Sequence, residues 1–252
     1  MVKLNLVTGF LDSYLDIKNI KDGSYNGLQV QGKKEVRKIV FAVTAGMQTF
    51  KKAKETNADM IVVHHGLFWK GVSPNLIDYN FDRIKFLVEN KISLYASHLP
   101  LDKHQDIGNN AQLLKILDFK KDREFGLYEG NYISFTGKTS KPKTVKEIEN
   151  ILQNNIGATC KTLPFGKKEI KTMAVCSGGG GIAQLSEAID LGVDFYLTGD
   201  STEFYHIAKD ARINVICAGH HATETVGVKN LSKVVYEKFD IETLFIDIPT
   251  ML

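Results

Sequence analysis

Short apolar runs alternate with amphipathic stretches along most of the chain. In the first half, three apolar runs predict buried strands at Lys38–Gly46, Ala58–Gly66 and Ile92–His98. Stretches with helical spacing, Met47–Asn57 and Ile84–Asn90, separate these runs. Because the runs are continuously apolar and do not alternate with polar positions, we expect parallel strands covered on both faces.

The second half repeats this alternation with elements of similar length. Its predicted strands are Lys171–Gly181 (which ends in a glycine turn), Val193–Asp200, Ile213–Gly219 and Thr243–Ile248, and its predicted helices are Ile182–Leu191, Thr202–Ala211 and Thr225–Phe239. Strands that alternate with helices indicate an α/β fold with mostly parallel or mixed sheets.

Short segments of the two halves can also be aligned with each other. "AVTAG" in the first half corresponds to "AVCSG" in the second, and "AKETNADMIVVHH" corresponds to "AIDLGVDFYLTGD". The coincident polar positions are the pairs Asp59/Asp194, His65/Asp200, His98/His220 and Asp102/Glu224, the last two with one residue of slip. Several coincident positions together indicate an internal duplication.

The middle of the chain, Asp118–Ile170, follows a different pattern. It holds an exposed strand pattern, "NYISFTGKT", and a capping box from Thr144 to Glu147 that predicts a helix to Asn155. No Pro-, Gly- or Ser-rich linker separates the halves. We therefore expect one domain over residues 1–252, made of two intertwined, duplicated lobes at about 1–120 and 121–252.

Composition and charge narrow the class of protein. The 252 residues are 43% apolar and 24% charged, which is ordinary for a globular protein, and the net charge of +3 is too mild to indicate nucleic-acid binding by itself. Three cysteines form no CxxC pair, which favours a reducing compartment. Neither a signal peptide nor a run of membrane-spanning length is present, so we expect a cytoplasmic protein.

Histidines concentrate where predicted strands end. Six of the seven lie in or beside these loops: His64, His65, His98, His104, His220 and His221. In open α/β sheets, ligands bind beyond the carboxyl ends of the strands. Imidazole and carboxylate together suit Zn²⁺, Mn²⁺ or iron, so the sequence favours a metal site.

Spacing suggests how the ligands are shared. Successive strand side chains point to opposite faces, so His64 and His65 are awkward for one ion but at a strand end can reach two. Glu224 is four residues beyond His220 and shares its face if that loop is helical, which makes it a candidate bridging ligand. Asp102 is a candidate terminal ligand.

Three further features keep more than one interpretation. His98 and His221 are candidate proton shuttles, while a ligand or orienting role for His98 stays open. The Gly178–Gly181 run is either a phosphate cradle at a helix N-terminus or a plain turn. The role of Asp200 is open as well.

Six motifs, spread over nearly the whole chain, resemble the NIF-three-like family, whose bacterial members often carry the label type-2 GTP cyclohydrolase I. They are "YNGLQV", "VVHHGLFWKG", "SHLPLDKHQDIGNNAQL", "LTGD", "AGHHATE" and "FIDIP". The resemblance implies a duplicated two-lobed α/β fold, without the extra domain that longer members insert between the halves, and a centre with two divalent metal ions (Zn, Fe, Mn or similar). Its implied metal ligands are His64, His65, Asp102, His220 and Glu224.

The resemblance also implies a function and an assembly. We expect a metal-dependent hydrolase that acts on a nucleotide, by GTP cyclohydrolase-like ring opening or by phosphoester hydrolysis. The implied assembly is a toroidal homohexamer, a trimer of dimers. The alternative is a non-catalytic metal-containing ring that serves as a scaffold or binds a nucleic acid or another partner.

Overall fold

The computed structural model describes residues 1–200 and 202–250, and these fall into two units. The first unit comprises Met1–Leu101 and Val228–Ile248, and the second comprises Asp102–Gly227 and the terminal segment from Pro249. The lobe boundary near residue 120 stays a prediction.

Strands and helices alternate through both units. The strands are β1 Val2–Lys3, β2 Gly27–Val30, β3 Glu35–Val36, β4 Lys38–Thr44, β5 Met60–His65, β6 Ser93–Ala96, β7 Lys120–Tyr128, β8 Asn131–Lys143, β9 Lys161–Pro164, β10 Ile170–Cys176, β11 Phe195–Thr198, β12 Asn214–Cys217 and β13 Glu242–Phe245. The helices are α1 Leu4–Tyr14, α2 Met47–Glu55, α3 Asp78–Glu89, α4 Leu99–Asp102, α5 Asn109–Ile116, α6 Val145–Ile156, α7 Ile182–Asp190, α8 Tyr205–Ala211 and α9 His220–Phe239. None of these helices is both long enough and apolar enough to cross a membrane.

The first unit is built on a five-stranded sheet in the order β13-β4-β5-β6-β2. Strands β13, β4, β5 and β6 are parallel, and β2 is an antiparallel edge strand beside β6. The central strands are buried on both faces, which confirms the expectation from their continuous apolar runs. Phe50, Ala53 and Leu87 from α2 and α3 pack on one face.

The second unit repeats the central part of this arrangement. Its six-stranded sheet has the order β7-β8-β10-β11-β12-β9, in which β10, β11 and β12 are parallel and β9 is an antiparallel edge strand. In both units, three parallel strands are thus followed at one edge by an antiparallel strand that precedes them in sequence. The duplicated α/β fold predicted from the sequence is confirmed.

One aspartate anchors each sheet, and it occupies the same place in both units. Asp59 directly precedes β5; its carboxylate accepts hydrogen bonds from Lys33 Nζ (2.6 Å) and Arg37 N (2.8 Å). Asp194 directly precedes β11; its carboxylate accepts from Lys167 Nζ (2.7 Å) and from the backbone amides of Lys171 and Thr172 in β10. This shared pairing supports the sequence alignment of Asp59 with Asp194.

The structure differs from the sequence predictions mainly at edges and helix starts. The apolar pattern did not predict the edge strand β2 at Gly27–Val30, because its pairing partner β6 is far away in sequence and leaves no local signal. Helix α9 starts at His220, earlier than the predicted Thr225, and α3 starts at Asp78, before the predicted Ile84. The capping box that begins α6 is present as predicted.

Replacing Asp194 with Asn is expected to lower the free energy of unfolding at neutral pH by about 1–3 kcal/mol, because charge-assisted hydrogen bonds would be weakened. Burial acts to raise the pKa of Asp194, but hydrogen bonds from Lys167, Lys171 and Thr172 outweigh it, so the folded pKa lies below the ordinary value. Such a carboxylate stabilises the fold above the unfolded pKa of about 3.9, and the contribution is lost as pH falls through the folded pKa.

Thermal unfolding followed by circular dichroism from neutral to acidic pH measures this effect. The difference in Tm between the native chain and Asp194→Asn should be constant near neutrality and shrink below about pH 4. Asp210→Asn, an exposed change on α8 in the same unit, is the control and should leave Tm unchanged. A gap that stays constant into strong acid would contradict the assignment.

Candidate metal site

Three histidines cluster at the carboxyl ends of β5 and β6 in the first unit. His64 and His65 end β5, and His98 follows β6 after one turn residue. Their ring centroids lie 4.6 to 5.7 Å apart. One nitrogen ligand atom from each of the three lies within 4.8 Å of the other two, a spacing that can hold a metal ion. Ligand atoms of the adjacent pair therefore lie close together, although both residues belong to β5.

Each ring in this cluster is held through Nδ1. His64 Nδ1 lies 3.0 Å from the carbonyl oxygen of Ser97, and His65 Nδ1 lies 3.1 Å from Thr44 Oγ1. His98 Nδ1 lies 2.9 Å from Asp22 Oδ1. With Nδ1 hydrogen-bonded to the protein, Nε2 is the nitrogen through which each ring can bind a metal ion or a proton. Histidines that bind metals are commonly oriented in this way.

Asp22 is the strongest of these anchors, and sequence reasoning missed it. Its carboxylate is 4% exposed and accepts hydrogen bonds from the backbone amides of Ser24 and Leu99 and from Asn26 Nδ2, each at 2.8 to 2.9 Å. Burial acts to raise the pKa of Asp22, but the hydrogen bond and charge of His98, with these further bonds, lower it to about 2. Asp22 is therefore a fixed anion beside His98.

A second cluster lies in the second unit, on the first turns of α9. His220 Nε2 is 3.1 Å from Glu224 Oε1, so the four-residue spacing places both side chains on one helix face, as expected if the segment were helical. His220 Nδ1 lies 2.9 Å from both carboxylate oxygens of Asp200, at the end of β11. Asp200, whose role the sequence left open, thus orients the His220 ring.

The surroundings of His220 favour positive charge. Burial by itself would lower the pKa of His220, but the hydrogen bonds and charges of Glu224 and Asp200 raise it to about 9. Glu224 is buried at 2% exposure. A position where two carboxylates stabilise a protonated imidazole also suits a metal cation.

Asp102 is placed by a hydrogen-bond network within the second unit. Asn109 Nδ2 (2.8 Å) and Ser177 Oγ (3.0 Å) both donate to Asp102 Oδ1. Asn109 Oδ1 in turn accepts from the amide of Gly227 in α9. Nothing in the local sequence marked Ser177 as a partner of Asp102, since the two are 75 positions apart.

The glycine turn packs directly against the second cluster. A Cβ at Gly178 would overlap with Glu224 Oε1, and Gly178 has a positive φ of 59°. Within this turn, the amides of Gly178, Gly180 and Gly181 donate to Thr223, Thr198 and Gln184 side chains at 3.0 to 3.1 Å. Because these amides already donate to side chains of the protein, they are not directed at a ligand, which disfavours the phosphate cradle. The turn instead forms a close-packed wall against Glu224.

The remaining candidates have simpler positions. His221 is buried on α9, and its role as a proton shuttle stays a prediction. His104 Nδ1 accepts from the amides of Asp106 and Ile107, a local turn contact. Cys176 and Cys217 are buried, and burial raises the pKa of the Cys217 thiol to about 11, so neither thiol is suited to nucleophilic attack.

The donor sets fit a divalent transition metal. Imidazole nitrogens and carboxylate oxygens in hydrogen-bonded, fixed orientations are the ligands of Zn²⁺, Mn²⁺ and iron sites. The first cluster supplies three imidazoles, and the second unit supplies His220, Glu224 and Asp102.

Comparisons with known proteins agree with these observations. The profile of the family described as Duf34/NIF3 (NGG1p interacting factor 3) matches residues 2–251. A Pyrococcus horikoshii protein named "GTP cyclohydrolase 1 type 2 homolog" is 47% identical over 250 residues, covering 98% of each chain. An Archaeoglobus fulgidus protein of the same name is 46% identical over 247 residues, again covering 98% of each chain.

The fold also matches solved structures along its full length. The protein ybgI, described as of unknown function, superposes with a TM-score of 0.93 at 35% identity, covering 100% of both chains. The protein TTHA1606 from Thermus thermophilus superposes with a TM-score of 0.89 at 32% identity, with the same coverage.

Gly178→Ala is expected to weaken metal binding by about 10-fold or more, because the new methyl group would displace the Glu224 carboxylate. Gly181→Ala is the matched control in the same turn, since its added Cβ would meet Gln184 Oε1 at 3.7 Å, an ordinary contact, and its φ is −80°. Titration with Zn²⁺ or Mn²⁺ by calorimetry compares the two variants. Equal affinities would show that the wall does not position Glu224.

Proposed function

The chain belongs to the Duf34/NIF3 family, and from its two side-chain clusters we propose that it is a hydrolase that depends on two divalent metal ions and acts on a nucleotide. The observation that carries the proposal is the orientation of four histidines through Nδ1, by Ser97 O, Thr44, Asp22 and Asp200. Rings held in this way can bind a metal ion through Nε2, or in the case of His98 a proton, without further rearrangement. A cytoplasmic location is part of the proposal.

The metal ligands in this proposal are His64, His65, Asp102, His220 and Glu224. Bound divalent ions supply Lewis acidity and lower the pKa of water. The residues around these ligands orient them: Asp200 orients His220, and Ser177 and Asn109 orient the Asp102 carboxylate. Because these supports are buried or hydrogen-bonded, they hold the ligands in fixed directions.

His98 is the proposed proton carrier. Its Nδ1 is held by the Asp22 carboxylate, which stabilises the ring when a proton is taken up at Nε2. The backbone amide of His98 also donates to Asn26 Oδ1, so the residue is fixed at both its backbone and its ring. An orienting carboxylate beside a histidine is the arrangement that general acid–base catalysis uses.

The names of the relatives suggest the reaction to test first. The Archaeoglobus fulgidus and Pyrococcus horikoshii relatives, at 46% and 47% identity, both carry the name "GTP cyclohydrolase 1 type 2 homolog". We propose hydrolysis of a nucleotide, either at the purine ring or at a phosphoester. In both cases one water molecule is added across the bond that is broken.

The direct test is turnover by metal-loaded protein of GTP and of a panel of nucleotide phosphoesters, with products identified by mass spectrometry. Glu224→Gln keeps the size of the side chain but removes its charge, and it is expected to reduce turnover by about 100-fold. Glu237→Gln, an exposed change on the same helix, is the matched control and should keep full activity.

Two outcomes would contradict the proposal. Turnover that is unchanged by Glu224→Gln would separate the reaction from the metal ligands. Absence of turnover of every substrate by a protein with full metal content would favour the alternative, a metal-containing scaffold.

The assembly is a separate proposal. We propose a homohexamer, for which exposed apolar side chains on α3, Tyr79, Phe81 and Val88, offer contact surface. The mass of the assembly in solution by light scattering tests it.

A further inference from the structure

A cavity of about 530 Å³ lies in the first unit, between the segment around β2 and the loop that follows β5. This volume is within the range of small-molecule sites, about 300–1,000 Å³. Its two walls are joined by an isolated antiparallel bridge between Ser24 and Trp69. The amide of Tyr25 donates to Phe68 O (3.0 Å), and the amide of Lys70 donates to Gly23 O (2.7 Å). The cavity is therefore formed by the fold before any ligand enters.

Trp69 connects this cavity with the histidine cluster. It lines the cavity, and its ring centroid lies 4.9 Å from that of His98 and 6.1 Å from that of His65. Its Nε1 donates to Gly66 O at 3.1 Å, which fixes the indole. A ligand in the cavity that contacts Trp69 would have one end beside the histidines.

The lining selects for a neutral ligand. Among the described residues that line the cavity, none is acidic or basic. Asn26 and Gln29 are engaged within the protein: Asn26 bonds to Asp22 and His98, and Gln29 bonds to Tyr25 O and Leu67 N. A phosphate group would lose its hydration here without gaining a cation.

The same lining favours a planar ring with polar edges. Tyr25, Phe68 and Trp69 offer aromatic surface, on which planar rings stack favourably. Asn75 and Asn80 carry amide side chains that can donate to and accept from ring heteroatoms. Tyr25 is 56% exposed and Leu28 is 40% exposed, so apolar surface on this wall is available to a ligand.

We propose that this cavity binds a neutral, planar heteroaromatic ring and that this ring is the part of the substrate that lies next to the histidine cluster. The substrate assignment rests on the proposed function, whereas binding of the ring does not require a metal ion. Any phosphate groups of the same substrate lie outside this cavity.

Trp69 is the one tryptophan in the chain, so its fluorescence reports directly on this cavity. The experiment titrates EDTA-treated full-length protein with guanosine as the heteroaromatic probe, and with cyclohexanol and inorganic triphosphate as non-aromatic and charged comparisons. Guanosine should change the Trp69 emission with saturation, while the two comparisons should not.

Two matched pairs of variants locate the binding. Tyr25→Ala should weaken guanosine binding by about 10-fold, whereas Tyr236→Ala, at a similarly exposed tyrosine (52%) on α9, should not. Leu28→Asp on edge strand β2 should also weaken it, whereas Leu244→Asp on the opposite edge strand, β13, at 38% exposure, should not.

The outcomes separate this inference from the proposed hydrolase activity. No saturable response to guanosine, or equal effects within each matched pair, would overturn the cavity assignment even if the metal-loaded protein hydrolyses a substrate. Saturable binding that depends on Tyr25 and Leu28 would support it even if no hydrolysis is found. A response to triphosphate equal to that of guanosine would overturn the neutral-ring assignment.

Discussion

The hydrogen bond at Nδ1 of each clustered histidine is the constraint on which the site depends. A histidine side chain can rotate and can carry its proton on either nitrogen, so an unsupported ring offers no defined ligand atom. Here a carbonyl oxygen, a hydroxyl and two carboxylates hold the four Nδ1 atoms. These hydrogen bonds determine the chemistry of the site, because they leave Nε2 of each ring as the nitrogen that can bind a metal ion or a proton.

The supports themselves come from the duplicated architecture. In each unit, the parallel strands (four in the first sheet, three in the second) end on the same side of their sheet, and polar residues beyond those ends lie together. At the other end of each sheet, where the parallel strands begin, an aspartate links two neighbouring strands. Asp59 accepts from the amide just before β4, and Asp194 accepts from an amide in β10. The two units differ in the side chains beyond these strand ends. The first unit has three histidines there, and the second has one histidine between two carboxylates.

The α/β fold and the contacts between residues close in sequence were predictable from local pattern. The contacts between residues far apart in sequence were not, because they depend on how the chain folds. His220 and Glu224 share a helix face because they are four residues apart, a relation that sequence shows directly. The partnership of Asp22 with His98 spans 76 positions and depends on how β2 packs against β6, so only the folded chain reveals it. The crowding of Gly178 against Glu224 is likewise a property of packing.

The central claim is that both units bind metal through these histidines. Elemental analysis of protein purified without chelator, in native form and as the His64→Ala/His220→Ala double variant, tests it most directly. His206→Ala, an exposed histidine on α8, is the control. The account predicts about two divalent ions per native or control chain and a loss of most of this metal in the double variant. Unchanged metal content in the folded double variant would contradict it.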